Sequence, residues 1–396
     1  MNAKSLALIS GKGGSGKTTL GLSLASLLSR CNIKVLLVDC DLSTNGATYF
    51  YEKKLSEVKE SITCFSDIIY NDNCSNIKCL NINQYYDFLP SIITITSKQK
   101  ISMCISSNID AFFKQVSSKY DVIIFDCQAG YSDVLKNLLP IIELNLAVME
   151  ADAISSSAMR SLYLKIGKLL NDRKIYQVFN KATSEEYEIY SKLYGGTIFT
   201  NIETVMFDWK IRKAFSVAQI PDMENTSANY GMQLLNISNI LFPETSIQNK
   251  LKKFSTILEI NKHYEEIKLL KEKISDINEK KEKQKKNFLR KAYTTIIPMM
   301  SMMLVIIYSI SFLEELSDNN MMNVFLLSLI VGICAVSMLF SFFIVFDLRG
   351  EQKDLYTKLS AYRNELENHM KAKEELKNEL DSIKKSRSKS KLPKSK

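Results

Sequence analysis

The chain has 396 residues and a formal net charge of +9, with 46% hydrophobic and 24% charged residues. This composition is that of a globular protein with room for one large or two modest domains, and it excludes a disordered or collagen-like chain. The only two histidines, His263 and His369, come late in the chain. The residues before them therefore lack the side chain needed for a histidine zinc site or a Ser-His-Asp triad.

Residues 1–250 alternate continuous apolar runs with amphipathic helical stretches. Continuous apolar runs are typical of strands that are buried on both faces, so we predict an α/β domain with a mostly parallel sheet and helices on both faces. The predicted strands are residues 5–9, 34–38, 121–125, 144–149 and 175–179, with a helix over 18–29. The eight cysteines include no C-x-x-C pair, and we interpret them as reduced thiols used as small apolar residues.

A glycine-rich loop lies between the first predicted strand and the first predicted helix. It reads Gly11-Lys12-Gly13-Gly14-Ser15-Gly16-Lys17-Thr18-Thr19 and satisfies the pattern G-x-x-x-x-G-K-[ST]. In such a loop the backbone N–H groups and the helix N-terminus bind phosphates. We expect Lys17 to neutralise the β- and γ-phosphates and the Thr18 hydroxyl to ligate Mg²⁺. The sequence therefore predicts an NTPase of the P-loop class.

The second lysine of the loop, Lys12, gives the motif a more specific form. K-G-G-x-G-K-T-T resembles the deviant Walker A loop of the ParA/MinD family of ATPases. Four other segments resemble that family. These segments are Val38-Asp39-Cys40-Asp41 with the following Asn45-Gly46-Ala47-Thr48, Ile124-Phe125-Asp126-Cys127-Gln128-Ala129-Gly130, Ala151–Ser157, and Asn180-Lys181. In the second of them, Gln128 stands where relatives often carry proline.

The resemblance implies an ATP- and Mg²⁺-dependent ATPase that forms a homodimer around two nucleotides. It implies that Lys12 reaches the phosphates of the partner and that Asp41 positions the attacking water. Asp39 and Asp126 would hold Mg²⁺ through its waters, and Asn180 would contact the adenine. The alternatives are that the strand-end carboxylates Asp39 and Asp41 cap a turn, and that Asn180 is an ordinary turn residue.

Two long stretches without charge occur late in the chain, over residues 292–313 and 321–346. A bilayer core of ~30 Å needs ~20 helical residues, so each stretch is predicted to span a membrane. The connecting residues 314–320 are acidic, whereas 279–291 and 384–396 are rich in Lys and Arg. This charge distribution predicts a two-span protein of the cell membrane with both termini in the cytoplasm. A buried helical hairpin of a soluble protein is the alternative.

The two basic tracts together hold more positive charge than the whole chain, so the remainder is slightly acidic. We expect these tracts to contact anionic lipid headgroups, and we do not expect a nucleic-acid partner. DNA binding through the basic tail, residues 385–396 and predicted to be disordered, is the alternative.

Residues 251–291 and 347–384 show an apolar 3-4 spacing with polar interruptions, which predicts two helical arms. Arms of equal length favour an antiparallel stalk, but the pattern leaves open whether they pair within one chain, between chains, or not at all.

These features predict a membrane-anchored ATPase with slow, partner-stimulated hydrolysis that dimerises with ATP and organises, positions or gates an unknown protein assembly. One alternative is an effector in which ATP-driven closure of the ATPase domain rearranges the spans. A second is a tyrosine kinase of the capsule-export type, whose spans, unlike those predicted here, precede the ATPase. A third is DNA partitioning.

Overall fold

The structure is a computed structural model that describes most of the chain. The described residues are 3–58, 61–70, 76–92, 106–183, 185–186, 188–189, 199–224, 228–291, 293–294, 297–314, 332–333, 336 and 353–382. They fall into two compact units, Met1–Lys262 with Leu376–Lys396, and His263–Glu375. We call the first unit the head and the second unit the arm unit.

In the described part of the chain, the head contains an eight-stranded sheet in the order β3-β4-β2-β5-β1-β6-β7-β8. The strands are β1 (Lys4–Ile9), β2 (Val35–Cys40), β3 (Leu80–Asn83), β4 (Tyr86–Leu89), β5 (Val122–Cys127), β6 (Leu144–Glu150), β7 (Ile175–Ala182) and β8 (Phe199–Met206). All neighbouring strands are parallel except β3 and β4, which are antiparallel. This arrangement confirms the predicted mostly parallel α/β sheet.

Helices of the head cover both faces of this sheet. They are α1 (Lys17–Arg30), α2 (Gly46–Phe50), α3 (Glu52–Glu57), α4 (Phe65–Tyr70), α5 (Ser106–Val116), α6 (Asp133–Leu138), α7 (Ala153–Ile166), α8 (Trp209–Ser216), α9 (Ala228–Leu241) and the first turns of α10 (Thr245–Lys291). Leu6 and Leu8 of β1 face a core shared with α1, α9 and α10. Ala7 and Ile9 face a second core shared with α4 to α7. Alternate residues of one strand therefore enter different cores, which explains its uninterrupted apolar sequence.

The strand register places several polar side chains at the carboxyl edge of the sheet. Asp39 at the end of β2 is the cross-strand neighbour of Asp126 on β5. Glu150 at the end of β6 is the neighbour of Asn180 on β7. Parallel strands end at a common edge, so residues far apart in the sequence meet beside the glycine-rich loop that follows β1.

Within the described residues of the arm unit, the later part of α10 pairs antiparallel with most of a later helix of the same chain, α12 (353–382). Lysine side chains of each helix lie over tyrosine rings of the other. The distances from Nζ to the ring centroid are 4.7 Å for Lys373 and Tyr264, 5.4 Å for Lys273 and Tyr362, and 4.1 Å for Lys281 and Tyr356. Residues early in α10 therefore meet residues late in α12, and each contact adds a cation–π attraction.

Between these two helices the structure contains α11 (Ile297–Glu314), which overlaps the first predicted span, 292–313. Within the described residues, none of the helices combines the length and the apolar character that crossing a bilayer requires. The second predicted span, 321–346, lies outside the described residues apart from 332–333 and 336. The connecting residues 315–320 and the basic tail 385–396 also lie outside them.

Candidate functional site

The glycine-rich loop has a conformation that only glycine adopts without strain at two positions. Gly14 and Gly16 have φ angles of +83° and +91°, in the left-handed region that disfavours a side chain. A Cβ atom on Gly16 would also lie 2.2 Å from Nδ2 of Asn180, and one on Gly11 would lie 2.2 Å from the backbone carbon of Ala158. The loop is therefore fitted closely against the end of β7 and against α7.

Lys17 is the first residue of α1 and is buried beneath this loop. Its Nζ donates a hydrogen bond to Oγ of Ser10 at 2.7 Å. Burial lowers the pKa of Lys17, and the nearby charge of Asp126 acts in the opposite direction. The first turn of α1 contains no acidic residue, so a buried lysine and an open helix N-terminus together favour an anion here. Thr18 and Thr19 follow in the same turn and are half-buried.

Asp39 is fully buried and strongly hydrogen-bonded. Its Oδ2 accepts from the backbone N–H of Thr48 at 2.8 Å and from the Thr48 hydroxyl at 2.7 Å, and its Oδ1 accepts from the N–H of Asp41 at 3.1 Å. Burial raises the pKa of Asp39 despite these bonds. The carboxylate thereby fixes the loop after β2 while it remains next to Asp126.

Asp126 differs because, among the described residues, neither of its carboxylate oxygens has a hydrogen-bond partner of good geometry. The residue is 1% exposed, and burial followed by the charge of Asp39 raises its pKa. The Thr18 hydroxyl and the Lys17 ammonium lie close enough to act in the opposite direction. A buried carboxylate with open lone pairs beside a threonine hydroxyl has the ligand chemistry that suits hydrated Mg²⁺.

Asp41 caps the turn that follows β2. Its Oδ1 accepts from the N–H of Ser43 and of Thr44, each at 3.0 Å, and its Oδ2 accepts from the Thr44 hydroxyl at 2.6 Å. Partial burial acts to raise the pKa of Asp41, but these hydrogen bonds outweigh it and lower the pKa. The Asp41 side chain therefore makes turn-capping contacts here. Turn capping was the alternative to the predicted role of Asp41 in positioning the attacking water.

Lys12 is held by two acidic side chains of the same chain. Its Nζ lies 2.9 Å from Oε2 of Glu150 and 3.4 Å from Oδ2 of Asp152. Glu150 also pairs with Lys181 at 3.0 Å. Partial burial acts to raise the pKa of Glu150, and the hydrogen bonds from the two lysines hold it below its usual value. The lysine that the family resemblance assigns to a partner's phosphates is thus engaged within its own head.

Asn180 supports the glycine-rich loop directly. It is buried at the end of β7, and its Nδ2 donates to the carbonyl oxygen of Ser15 at 2.8 Å. The next residue, Lys181, has a φ of +58° and donates from Nζ to the carbonyl oxygen of Gly14. The adenine contact suggested for Asn180 stays a prediction, whereas its contact with the loop is present in the structure.

A cavity of about 410 Å³ opens between the glycine-rich loop and the end of the sheet. Thr19 and Asn180 line it on the loop side, and Phe207, Arg212 and Phe215 line it on the side of β8 and α8. Its size and its combination of aromatic and polar side chains suit a planar base adjoining a phosphate site. The sequence did not indicate the residues around α8, because they share no motif with the loop.

The segment after β5 is connected to the loop through the backbone. The N–H of Gly130 donates to the carbonyl oxygen of Ser10 at 2.8 Å, and Gly130 has a φ of +79°. Gln128 lies between Asp126 and Gly130 in the sequence and is half-buried. The segment that follows Asp126 is therefore hydrogen-bonded to the residue that precedes the glycine-rich loop.

Together, the loop, the paired aspartates and the adjoining cavity define a P-loop nucleotide-binding domain. Residues 3–178 match the protein family described as "AAA domain". The chain is 28% identical over 134 residues to the septum site-determining protein MinD of a Synechocystis strain, which is 33% of this chain and 47% of that protein. It is 25% identical over 170 residues to the cell division protein PomZ of Myxococcus xanthus, which is 41% of this chain and 50% of that protein.

The chain thus spans about half the length of these curated relatives. It is also similar to the virulence plasmid ParA family protein pGP5-D of Chlamydia psittaci, 23% identical over 63% of this chain and 95% of that protein.

Two solved structures share the fold of the head. One is the MinC:MinD cell division protein complex of Aquifex aeolicus, with a TM-score of 0.50 and 15% identity over 61% of this chain and 97% of that chain. The other is a Borrelia burgdorferi B31 protein described as a plasmid partition protein and bound to AMPPNP. It has a TM-score of 0.51 and 21% identity over 61% of this chain and 99% of that chain. The head therefore has the ParA/MinD-like P-loop fold that the loop sequence resembles.

Proposed function

We propose that this chain is an ATP-driven switch whose head binds ATP with Mg²⁺, dimerises around two nucleotides and hydrolyses ATP slowly. Lys17 and the loop backbone would bind the phosphates. The Thr18 hydroxyl would ligate Mg²⁺, and Asp39 and Asp126 would hold it through its waters. When bound, Mg²⁺ neutralises charge on the β- and γ-phosphates. The cavity beside Phe207 and Phe215 would take the base.

The observation that carries this proposal is the separation of the two loop lysines. Lys17 is buried beside Ser10, beneath the glycine-rich loop of its own head. Lys12 is partly exposed at the rim, where its contacts are carboxylates that a second head could replace with phosphate. This separation supports a role for Lys17 within its own site and a role for Lys12 across an interface between two heads.

The test is a pair of lysine variants in the full chain. Lys17→Ala should lose binding of ATP and Mg²⁺, measured by calorimetry. Lys12→Ala should bind ATP with nearly unchanged affinity and lose ATP-dependent dimerisation, measured by light scattering coupled to size exclusion. Asp41→Ala, which removes the candidate water-positioning group, should retain ATP and accumulate the dimer.

The proposal is wrong if the wild-type chain fails to bind ATP, or if Lys12→Ala dimerises and hydrolyses ATP normally. Lys34→Ala supplies the control, because Lys34 lies before β2, at the opposite edge of the sheet from the loop. It should match the wild-type chain in both assays.

As its output, we propose that the ATP-bound dimer recruits and positions a protein assembly. MinD is named a septum site-determining protein, and one solved relative is a complex of MinD with MinC. Those names favour a protein partner that recognises the dimer. Capture by the Asp41→Ala chain of a protein that the Lys12→Ala chain does not capture would support this output.

Membrane attachment is a separate proposal that rests on the two charge-free stretches, 292–313 and 321–346. In α11 several apolar side chains are more than half exposed, including Met300 at 62%, Leu304 at 67% and Ile307 at 57%. The acyl chains of a lipid bilayer would contact such an apolar helix surface without the need for a protein partner. A chain that remains in the membrane fraction after alkaline carbonate extraction would support the proposal, and a chain released by that extraction would contradict it.

A further inference from the structure

The only two histidines of the chain meet in the arm unit, although 106 positions separate them. His263 lies on α10 and His369 on α12, and their Nδ1 atoms are 2.9 Å apart. The two rings have centroids 5.2 Å apart at an interplanar angle of 51°, so they converge on these nitrogens and do not stack face to face. The contact joins the two arms at one position.

Glu266 completes a group of three ligand atoms. Its Oε2 lies 2.9 Å from Nδ1 of His369 and 3.5 Å from Nδ1 of His263. His263 and Glu266 are three positions apart on one helix and therefore share a face. One helix thus supplies a nitrogen and an oxygen, and the other helix supplies the second nitrogen.

Hydrogen atoms alone satisfy this cluster poorly. A neutral imidazole carries one N–H, and the three atoms make three mutual contacts. If only one of the two Nδ1 atoms carries a hydrogen, the other Nδ1 and the Glu266 oxygen face each other with lone pairs. If both Nδ1 atoms carry a hydrogen, two N–H groups face each other. Three such ligand atoms within 3.5 Å of one another can instead be satisfied by one bound cation.

The distances fit a transition-metal ion. The three atoms form a triangle with sides of 2.9, 2.9 and 3.5 Å. A point ~2.05 Å from every corner lies ~1 Å above that triangle, and ~2.0–2.2 Å is the usual distance from zinc to His nitrogen or carboxylate oxygen. Two imidazoles with one carboxylate favour Zn²⁺ and its neighbours over Mg²⁺ or Ca²⁺, which prefer oxygen ligands only.

The surroundings leave the cluster accessible from solvent. The side chains of His263, Glu266 and His369 are 24%, 36% and 23% exposed. A positive charge of the opposite helix, Lys373, follows His369 by four residues, and its ammonium group lies over the ring of Tyr264 at 4.7 Å. The carboxylate of Glu266 offsets that charge, so the site suits a divalent ion with one or more coordinating waters.

From this geometry we infer that His263, Glu266 and His369 form a binding site for a divalent transition-metal ion, of the Zn²⁺ class, that fastens the two arms together. Because the ligands come from both helices, an ion that binds the folded hairpin stabilises the pairing and fixes its register. The three ligands include none of the residues that we propose to bind nucleotide.

The test uses the full purified chain, stripped with EDTA and kept in excess Mg²⁺ so that carboxylates of the head are occupied. Titration with Co²⁺ should give visible d–d absorption that saturates at one equivalent and is displaced by Zn²⁺. Zn²⁺ should also raise the melting temperature of the helical arms, followed by circular dichroism. The chain with both His263→Gln and His369→Gln should show neither effect, and Glu266→Gln should bind at least ~10-fold more weakly.

Glu265→Gln is the matched control, because Glu265 is the exposed neighbour of Glu266 and lies outside the cluster. It should bind like the wild-type chain. Helix content of each variant at low temperature shows whether the arms still fold, and a variant that keeps its helices without binding metal supports the site. The inference is overturned if the double histidine variant gives the wild-type spectrum, if thiolate charge-transfer bands place the metal on cysteines, or if the wild-type chain binds no metal at ~100 μM.

Discussion

Asp39 and Asp126 are cross-strand neighbours at the carboxyl edge of the sheet, and only Asp39 has hydrogen-bond partners with good geometry among the described residues. Burial raises the pKa of both carboxyls, and the charge of Asp39 raises the pKa of Asp126 further. Without a bound metal ion, burial therefore disfavours the charged forms of both side chains.

Asp126→Asn should stabilise the head in the absence of nucleotide at pH 8. A carboxyl with a raised pKa binds its proton more tightly in the folded state. As the pH rises above about 4 the unfolded chain loses this proton first, and the folded state is increasingly penalised. Removing one buried charge should therefore raise the free energy of unfolding at pH 8 by on the order of 1–3 kcal/mol, and by less at pH 5. Thermal unfolding at both pH values measures the difference.

Asp121→Asn is the control, since Asp121 precedes the same strand and pairs with Lys250 at 2.9 Å. Burial acts to raise its pKa, but hydrogen bonds from Lys34 and Lys250 lower it overall, so its charged form stabilises the fold. This variant should be slightly less stable than the wild-type chain at pH 8. A loss of stability at pH 8 in Asp126→Asn would show that its charge is already compensated.

Gly16→Ala should destabilise the head, whereas Gly13→Ala should be nearly neutral. At Gly16 the φ of +91° and the contact with Asn180 both oppose a methyl group. The backbone term alone costs about 1–2 kcal/mol. At Gly13 no heavy atom lies within 4 Å of the added Cβ. Urea denaturation without nucleotide compares the two, and equal stabilities would contradict the described loop conformation.

The sequence predicted the head well where one physical signal dominates. The buried parallel strands β1, β2, β5, β6 and β7 appear as continuous apolar runs, and the glycine-rich loop has a pattern that is typical of P-loop proteins when it lies between a strand and a helix. The hairpin β3–β4 and strand β8 were not predicted, because β3 is short and half-exposed and β8 carries polar side chains.

Contacts between distant residues were beyond the sequence patterns. Nothing in the spacing connects Lys12 with Glu150 or Asn180 with Ser15, since the parallel sheet alone brings these positions together.

The contact between the two histidines could have been predicted from the lengths of the two arms. Two arms of equal length that pair antiparallel place His263 opposite the region of His369, and the intrachain pairing was left open only because a heptad pattern does not identify its partner.

Asn180→Ala should weaken the binding of ATP and GTP by the same factor, on the order of 3–10-fold, because it removes one hydrogen bond that holds the loop. The described contact of Asn180 is with the Ser15 carbonyl oxygen, which serves any nucleotide equally. Calorimetric titration with both nucleotides gives the two factors. A selective loss of ATP affinity would instead assign Asn180 to the base.

Glu150→Gln should promote ATP-dependent dimerisation. In the described state Lys12 is paired with Glu150 at 2.9 Å, and a lysine that must reach a partner's phosphates first has to leave this contact. Partly exposed ion pairs are worth less than about 1 kcal/mol, so the protein concentration at half-dimerisation should fall by only about 2–5-fold. Analytical ultracentrifugation with the nonhydrolysable analogue AMPPNP measures this concentration. Glu143→Gln, which removes the pair with Lys4 at the start of β1, should leave it unchanged. If Glu150→Gln weakens dimerisation, Glu150 orients Lys12 for the partner and does not hold it back.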